Sequence, residues 1–392
     1  MRLLHTSDWH LGRSFHGAGL LGAQSRFLDH LVDVVRAERI DAVLVAGDVY
    51  DRALPAPDSV GLLSDALLRL VDAGAQVVIS SGNHDSATRL GFGSGLLARA
   101  GVHLRTSVDQ IGIPVVIGDV AIHPIPYLEP AVAAGPLGTS ERTHAGVLRA
   151  AMIRVRATPT DQRHHVVMAH AFVTGGVGSQ SERDISVGGV AAVPPSVFGE
   201  MAYAALGHLH GPQQVDPHIR YSGSPLAMSF GEVNHRKSSA IVDLSGDEAV
   251  VDLVPAPVDR RLAVLRGDLE DLLTSRAHDE AEQAWCQVTI TDPIRPMGAM
   301  DRIKGRFPHT LELRFEPQGA PVDLRPYAER LEARTELDVC CDFLTHVRGG
   351  AVASEGERAL WQEDIDAARL GRSRSSDEGV VTPVRPRAAG AA

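Results

Sequence analysis

The chain has 392 residues, enough for two or three domains of roughly 150 residues, and 44% of them are hydrophobic, which excludes global disorder. Its 38 Lys and Arg residues against 49 Asp and Glu residues give a net charge of −11. This balance excludes an overall cationic field that would draw the chain to nucleic acid or anionic lipid, so any such contact must come from a local patch or from bound metal.

The cysteine content and the length of the apolar segments indicate the cellular compartment in which we expect the protein. Three cysteines are too few for a disulfide framework, and the adjacent Cys340 and Cys341 lack the spacing of a zinc site, so we expect a reducing cytoplasm. Polar Ser7 and Asp8 come too early for a secretory signal peptide. We also expect no membrane span, because no segment offers about 18 uninterrupted apolar residues.

The first part of the chain alternates predicted strands and helices. Apolar runs at residues 3–6, 42–46 and 76–79 predict buried strands, and apolar residues at helical spacing predict helices at residues 24–39 and 57–71. This alternation indicates a parallel sheet. Ligands of such sheets bind at the carboxyl ends of the strands, so we expect the polar residues that follow these strands to form a site.

A second sheet is predicted from about residue 112 onward, where the strands become shorter. The predicted strands span residues 114–117, 120–125, 165–169, 202–206, 219–222, 239–244 and 249–254, with a helix at residues 142–156. We expect this sheet to pack against the first one, which gives an α/β sandwich of two sheets flanked by helices.

A joint containing proline at residues 255–259 predicts the start of a smaller α/β domain. Its predicted elements are strands at residues 285–290 and 310–315 and helices at residues 269–275 and 324–333. Residues 354–357 have capping-box spacing and predict a helix that continues to residue 370, followed by a Ser-, Arg- and Pro-rich tail. The predicted divisions are residues 1–254, a capping domain at 255–336, a helical segment at 337–371 that binds a partner, and a disordered tail at 372–392.

Polar residues follow five consecutive predicted strands of the first two sheets. The seven candidate metal ligands among them are Asp8, His10, Asp48, Asn83, His170, His208 and His210. Residues two apart project to one side of extended backbone, which pairs Asp8 with His10 and His208 with His210. Taken alone, these residues have ordinary structural explanations. Asp8 is also typical of a turn that closes a strand, Asp48 of a helix cap, and a single histidine of a buried core position. Their recurrence at five strand ends favours a shared metal site.

The types of ligand atom restrict which metals the site could bind. Carboxylate, imidazole and amide oxygen without thiolate disfavour a structural zinc site and favour manganese, with magnesium, iron and zinc left as alternatives. Seven ligands exceed the share of one ion once water is included. We therefore expect two divalent ions about 3.5–4 Å apart, bridged by one carboxylate, for which Asp48 is the natural choice.

These motifs resemble those of a known superfamily. The motifs are Asp8-x-His10, Gly47-Asp48-x-x-Asp51, Gly82-Asn83-His84-Asp85, His170 and Gly207-His208-x-His210, and in this order they resemble the five motifs of the calcineurin-like metallophosphoesterases. Residues 6–12, 82–92, 181–189 and 221–226 further resemble the SbcD family of nuclease subunits. The resemblance covers roughly residues 1–245 and continues more loosely to about residue 316.

The resemblance implies a role for each residue. One metal is implied at Asp8, His10, Asp48 and His210, and the second at Asp48, Asn83, His170 and His208. His84 matches the general acid that protonates the leaving oxygen. Asp51 and Asp85 are interpreted as residues that support or cap the site. The family also implies a homodimer that works within a heterotetramer with the SMC-like ATPase SbcC on double-stranded DNA ends and hairpins.

Arginines beside the motifs are candidates for contact with DNA phosphates: Arg13, Arg52, Arg89 and Arg183. The alternative is that they are solvated surface residues. The chain contains neither a P-loop motif nor a Gly-x-Ser-x-Gly elbow, which argues against an ATPase and a serine hydrolase.

The predicted function is a metal-dependent DNA exonuclease and endonuclease in repair, recombination and replication. One alternative is a calcineurin-like phosphoesterase that acts on small phosphodiesters or phosphoproteins. Another is a DNA-end scaffold with a vestigial site, against which the complete ligand set argues.

Overall fold

The computed structural model describes residues 1–183, 192–318, 335–348 and 350–377, with the side chains of residues 346 and 369–377 left aside. The chain divides into two compact units, Met1–Val264 with Glu280–Gln287, and Leu265–Asp279 with Val288–Ala392. Three predictions lie wholly or partly outside the described residues: the helix at residues 324–333, most of the motif at 181–189 and most of the tail. The predicted domain limits stay predictions.

The described residues form seventeen strands and ten α-helices. The strands are β1 (Arg2–Thr6), β2 (Ser14–Phe15), β3 (Ala18–Gly19), β4 (Ala42–Ala46), β5 (Gln76–Ser80), β6 (Val102–Arg105), β7 (Val115–Ile117), β8 (Val120–Pro124), β9 (His164–His170), β10 (Tyr203–Gly207), β11 (Gln213–Asp216), β12 (Ile219–Tyr221), β13 (Ser238–Asp243), β14 (Val250–Pro255), β15 (Leu262–Gly267), β16 (Trp285–Ile290) and β17 (Thr310–Phe315). The helices are α1 (Leu21–Glu38), α2 (Pro57–Asp72), α3 (Ala87–Leu90), α4 (Ser94–Leu97), α5 (Pro130–Leu137), α6 (His144–Ala157), α7 (Leu269–Thr274), α8 (Ala299–Arg306), α9 (Glu336–Val347) and α10 (Glu355–Asp377).

Two six-stranded sheets form the first unit. The first has the order β14-β13-β1-β4-β5-β6, in which β1, β4, β5 and β6 are parallel and β13 and β14 are antiparallel to their neighbours. The second has the order β11-β12-β10-β9-β8-β7, with β8, β9, β10 and β12 parallel. Two sheets were predicted and two are present, but the strands expected at residues 239–244 and 249–254 were assigned to the second sheet, and that assignment was wrong. They are β13 and β14 of the first sheet, because β13 pairs with β1 as an antiparallel neighbour.

Alternating side chains explain how the sheets pack. Along β4, Leu44 joins a buried cluster with Val166 and Tyr203 of the second sheet, whereas Val43 lies in the cluster that α1 covers with Phe27. Because successive side chains of a strand point to opposite faces, an entirely apolar strand can serve both cores. Helices α5 and α6 cover the outer face of the second sheet in the same way.

Of the remaining strands, β2 and β3 form a two-stranded antiparallel sheet, and β15, β16 and β17 form a three-stranded sheet in that order. In the second unit, helices α7 and α8 bury Leu272, Ile303 and Phe307. The predicted capping box before α10 is present, since Ser354 N–H donates to Glu357 Oε2 at 2.8 Å. Helix α10 continues to Asp377, beyond the end predicted at residue 370. Among the described residues, no helix combines the length and the apolar character needed to cross a bilayer.

Candidate metal centre

The ends of the central strands of both sheets meet at one edge of the first unit. The loop after β1 is joined to the loop after β4, because Asp8 N–H donates to Gly47 O and His10 N–H donates to Asp48 O, both at 3.0 Å. His170, at the end of β9, donates from Nδ1 to Ala46 O of the other sheet at 2.9 Å. The polar loops of both sheets therefore meet at one place, as expected from the sequence.

The backbone is strained at this place. Seven described residues other than glycine have positive φ, and four of them are predicted ligands: Asp8 (54°), His10 (43°), Asp48 (49°) and His208 (103°). Residues other than glycine rarely adopt positive φ. Such backbone conformations persist where the surrounding structure imposes them, often at functional sites.

The structure brings the predicted ligands together. His10 Nε2 lies 3.2 Å from His210 Nε2. Asp48 Oδ2 lies 3.5 Å from both His10 Nε2 and His170 Nε2, and His170 Nε2 lies 2.9 Å from Asn83 Oδ1. Asp48 thus stands between two groups of ligands, which is the position expected of a bridging carboxylate.

The two outermost ligands complete the cluster. Asp8 has ligand atoms within 4.8 Å of those of His10 and His210, and also of those of Asp48 and His170. The backbone N–H of His208 donates to Asp8 Oδ1 at 3.1 Å, and its ring centroid lies 5.4 Å from that of His170. All seven predicted ligands therefore lie in one cluster, in which six side chains are buried and Asn83 is half-buried.

Electrostatics favour a cation among these side chains. Burial raises the pKa of Asp8 to about 6, although the charge of His170 opposes the shift, and burial lowers the pKa of His208 to about 3 and that of His10 well below its usual value. Burial also acts against charge on Asp48 and His170, but their mutual attraction outweighs it, lowering the pKa of Asp48 and raising that of His170 to about 9. Negative charge that holds a proton on His170 would equally hold a cation.

The donor set fits divalent metal ions. The Nε2 atoms of His10 and His210 are buried 3.2 Å apart, and a cation placed there would bind the lone pairs of both rings. His10 Nδ1 is also buried without a hydrogen-bond partner among the described residues. Carboxylate, imidazole and amide oxygen together suit the metals predicted from the sequence.

Three glycines allow the loops to approach this closely. A Cβ on Gly82 would lie 2.1 Å from Asp48 Oδ1, one on Gly47 would lie 2.4 Å from His170 Nδ1, and one on Gly207 would lie 1.8 Å from Ala46 O. These positions exclude any side chain without movement of the ligand loops.

We expect Gly207→Ala to lower the free energy of unfolding by about 1–3 kcal/mol, the usual cost of overpacking. The reason is that the new methyl group would overlap the backbone oxygen of Ala46. The matched control is Gly61→Ala in α2, where a Cβ meets nothing within 4 Å and the loss of backbone freedom predicts a gain of up to about 1 kcal/mol. Urea denaturation measures both. Equal stability of the two variants would contradict the close approach of β4 and β10.

His84 occupies a different position from the other histidines. Its backbone N–H donates to Asp48 Oδ1 at 2.8 Å, and its Nδ1 donates to Asp51 O at 2.9 Å. A ligand atom of its ring also lies within 4.8 Å of ligand atoms of His10 and Asp48. The geometry therefore allows His84 either to face the substrate, as predicted, or to bind metal.

An open cavity of about 450 Å³ adjoins His84. It is lined by Arg13, Ser14, Asp51, Arg52, His84 and Arg183. Three of the four predicted phosphate-binding arginines thus line one cavity. The fourth, Arg89, is not among its lining residues and donates to Ala53 O at 3.2 Å. Asp51 balances part of this charge, because its carboxylate lies 3.3 Å from Arg13 Nη1 and 3.6 Å from Arg52 Nε.

Asp85 ties two of the ligand loops together. Its carboxylate accepts hydrogen bonds from the backbone N–H groups of Val49, Tyr50 and Gly82, at 3.1, 2.9 and 2.9 Å. Burial and the charge of Asp48 raise its pKa to about 7. A supporting role was predicted for Asp85, and these contacts are of that kind.

Sequence reasoning missed three buried polar residues behind the ligands. Gln24 of α1 donates from Nε2 to His10 O at 2.7 Å and accepts from Gly12 N–H at 3.0 Å. Its place on the apolar face of α1 is a signal that could have found it. Glu232 and Lys237 are also buried, but in the sequence they are indistinguishable from surface charges.

Comparisons with known proteins agree with these observations. The family model described as calcineurin-like phosphoesterase matches residues 1–212, and the one described as type 5 capsule protein repressor C-terminal domain matches residues 258–348. The D subunit of the SbcCD nuclease from Staphylococcus saprophyticus is 28% identical over 318 residues, 80% of this chain and 84% of the relative. The protein with the same name from Staphylococcus epidermidis is 28% identical over 317 residues, 80% of this chain and 85% of the relative.

A solved structure from Thermus thermophilus, TT1561, covers 64% of this chain and 98% of its own at 12% identity, with a TM-score of 0.38 that is too low to support the fold assignment. The family assignment rests on the first model, which matches more than half of the chain and includes every predicted ligand. It confirms the resemblance seen in the five motifs. The chain therefore belongs to the calcineurin-like phosphoesterase family.

Proposed function

We propose that the chain is a metal-dependent DNA nuclease that hydrolyses phosphodiester bonds at double-stranded ends and in hairpins. The observation that carries the proposal is the convergence of the seven predicted metal ligands beside a cavity lined by three arginines. The relatives named as nuclease subunits over 80% of the chain support the choice of nuclease within the phosphoesterase family.

The proposed metal sites follow the two groups of ligands around Asp48. The residues of the first are Asp8, His10, Asp48 and His210, and those of the second are Asp48, Asn83, His170 and His208. Bound divalent ions, for which we expect manganese with magnesium as the alternative, would supply an activated water and neutralise developing charge on the phosphate. The neutral imidazoles that burial produces at His10 and His208 are the form that binds metal.

We assign the general acid to His84. Because its Nδ1–H is committed to Asp51 O, Nε2 is the ring atom available to carry a proton to the leaving oxygen. Its position in the lining of the cavity gives it access to a bound phosphate group. Arg13, Arg52 and Arg183 would contact neighbouring phosphates, and Arg89 would contact them outside the cavity.

The test compares substrates on the full chain. We expect pure protein with Mn²⁺ to cleave end-labelled duplex and hairpin DNA, with and without the ATPase partner. Under the alternative function, the chain would hydrolyse a small phosphodiester or a phosphopeptide and leave both DNA substrates intact. A chain that binds DNA ends without cleaving anything in any metal would instead indicate a scaffold.

We further propose that the chain forms a homodimer and joins an SMC-like ATPase, SbcC, in a heterotetramer. Large apolar side chains at Leu54, Phe92 and Leu96 are exposed on the first unit, and Phe343 and Leu360 are exposed on the helices α9 and α10 of the second. A contiguous exposed apolar patch marks a protein interface, whereas single exposed apolar residues are ordinary, so these residues are the candidates to test. The predicted cytoplasmic location agrees with a DNA substrate.

We expect a chain that ends at residue 349 to keep Mn²⁺-dependent cleavage of short DNA and to lose binding to the ATPase, because it lacks α10. We also expect Trp361→Ala to weaken that complex by at least about 10-fold, since an aromatic anchor often dominates an interface. Glu363→Ala, at an exposed position of the same helix, is the control. Undiminished co-purification of the truncated chain with the ATPase would contradict the assignment and favour a helix that only packs within its own unit.

A further inference from the structure

A group of buried and half-buried polar side chains lies behind His210 and takes no part in the proposed reaction. We call Ser181, Glu232 and Lys237 the His210 support group. Glu232 and Lys237 are only 1% and 8% exposed, so neither can reach a DNA phosphate, and any effect on catalysis must pass through the residues they touch. Each of the three contacts His210.

The support group holds both the ring and the backbone of His210. Ser181 Oγ lies 2.6 Å from His210 Nδ1, and Glu232 Oε1 lies 3.7 Å from the same nitrogen. Lys237 Nζ donates to His210 O at 2.8 Å and to Ser224 Oγ at 2.9 Å. Lys237 also forms a buried ion pair with Glu232, which fixes the carboxylate.

The hydrogen bonds around Ser181 favour one direction. The Glu232 carboxylate, paired with Lys237, can only accept, so the single hydroxyl hydrogen of Ser181 goes to Glu232 Oε1 at 2.6 Å. Met228 N–H donates to the same carboxylate oxygen at 3.1 Å, which strengthens its role as an acceptor. Ser181 Oγ also lies 2.9 Å from Ser179 Oγ, but the carboxylate is the shorter and stronger acceptor. Ser181 Oγ therefore presents a lone pair to His210, which favours the His210 proton on Nδ1.

This tautomer leaves a lone pair on His210 Nε2. That atom lies 3.2 Å from His10 Nε2, so it faces the ligand cluster rather than the protein interior. A carboxylate that orients a metal-binding histidine through its other ring nitrogen raises metal affinity, and removal of such a partner usually costs about 10–100-fold. Here a serine hydroxyl stands between the carboxylate and the ring.

We propose that Ser181, Glu232 and Lys237 are positioning residues that fix His210 in its Nδ1-protonated form and thereby set the affinity of one metal site. The proposal rests on the proposed function for the identity of that site. It differs from a purely structural role of the buried ion pair, which would stabilise the fold without acting on one metal ion in particular.

Two serines provide a matched comparison. Ser181 and Ser229 both donate to Glu232 Oε1, at 2.6 and 3.2 Å, but only Ser181 contacts His210. Changing Glu232 itself would leave Lys237 buried and unpaired and could unfold the chain. We therefore choose Ser181→Ala as the test, Ser229→Ala as the control and Ser181→Thr as the conservative rescue.

The first measurement is calorimetric titration of the metal-free full chain with Mn²⁺. We expect Ser181→Ala to weaken binding of one ion by about 10–100-fold and to leave the other unchanged. Ser229→Ala should bind both ions like the wild type, and Ser181→Thr should restore the lost affinity. Equal weakening in the Ser181→Ala and Ser229→Ala variants would overturn the proposal.

The second measurement is the histidine tautomer by long-range ¹H–¹⁵N NMR of the metal-free chain, with His210 assigned by its loss in His210→Gln. We expect the Nδ1–H form in the wild type and in Ser229→Ala, and a mixture with the Nε2–H form in Ser181→Ala. An Nε2–H wild type would overturn the proposal. Because no metal or DNA is present, this result is independent of whether the chain is a nuclease.

Discussion

Asp48→Ala should abolish the binding of both metal ions and reduce DNA hydrolysis by at least about 10³-fold, because metal ions supply several kcal/mol of transition-state stabilisation. The reason is the central position of this carboxylate, with Oδ2 at 3.5 Å from ligand nitrogens of both groups, His10 and His170. Metal analysis of the purified variant and a nuclease assay measure the two effects. Circular dichroism should show an unchanged fold.

The matched control for this variant is Asp33→Ala, which removes an exposed carboxylate from α1. It should keep both ions and full activity. Manganese content near two ions per chain in the Asp48→Ala protein would rule out the bridging role. Loss of only one ion would assign Asp48 to a single site.

His84→Ala should keep both metal ions and DNA affinity but lose about 10²-fold or more in rate, the usual scale of general acid catalysis. Its Nδ1 is held by Asp51 O at 2.9 Å, which leaves Nε2 for proton transfer. Single-turnover kinetics and metal content, measured on the same preparation, separate chemistry from metal binding. The control is His278→Ala in the second unit.

The metal content decides between the two roles that the geometry allows His84. If manganese is lost in proportion to activity, His84 is a ligand together with His10 and Asp48, whose ligand atoms lie within 4.8 Å of its own. The proton donor would then be a different group. Retention of both ions with the rate loss supports the general acid.

The sandwich could be predicted because its central strands are buried on both faces. Residues 42–46 are continuously apolar, and the structure forms β4 over Ala42–Ala46. The positions of the ligands follow from the same logic, because a polar residue directly after such a strand lies at the sheet edge. Strands with mixed composition, such as β11 over Gln213–Asp216, carry no comparable signal and were not predicted.

What lies behind the ligands could not be predicted. Glu232 and Lys237 are buried by contacts with segments distant in the chain, and charge in a single sequence is far more typical of an exposed surface. The left-handed backbone at Asp8 and Asp48 is likewise imposed by the joined loops and not by local residue preference. Tertiary contacts therefore determine how these side chains are held, even where the candidate ligands could be predicted from the strand ends.

The proposed dinuclear site at Asp48 is tested most directly by anomalous diffraction from crystals grown with Mn²⁺. We expect two anomalous peaks about 3.5–4 Å apart, both within coordination distance of Asp48, with His210 at one and His208 at the other. A single peak, or peaks that do not share Asp48, would contradict the account.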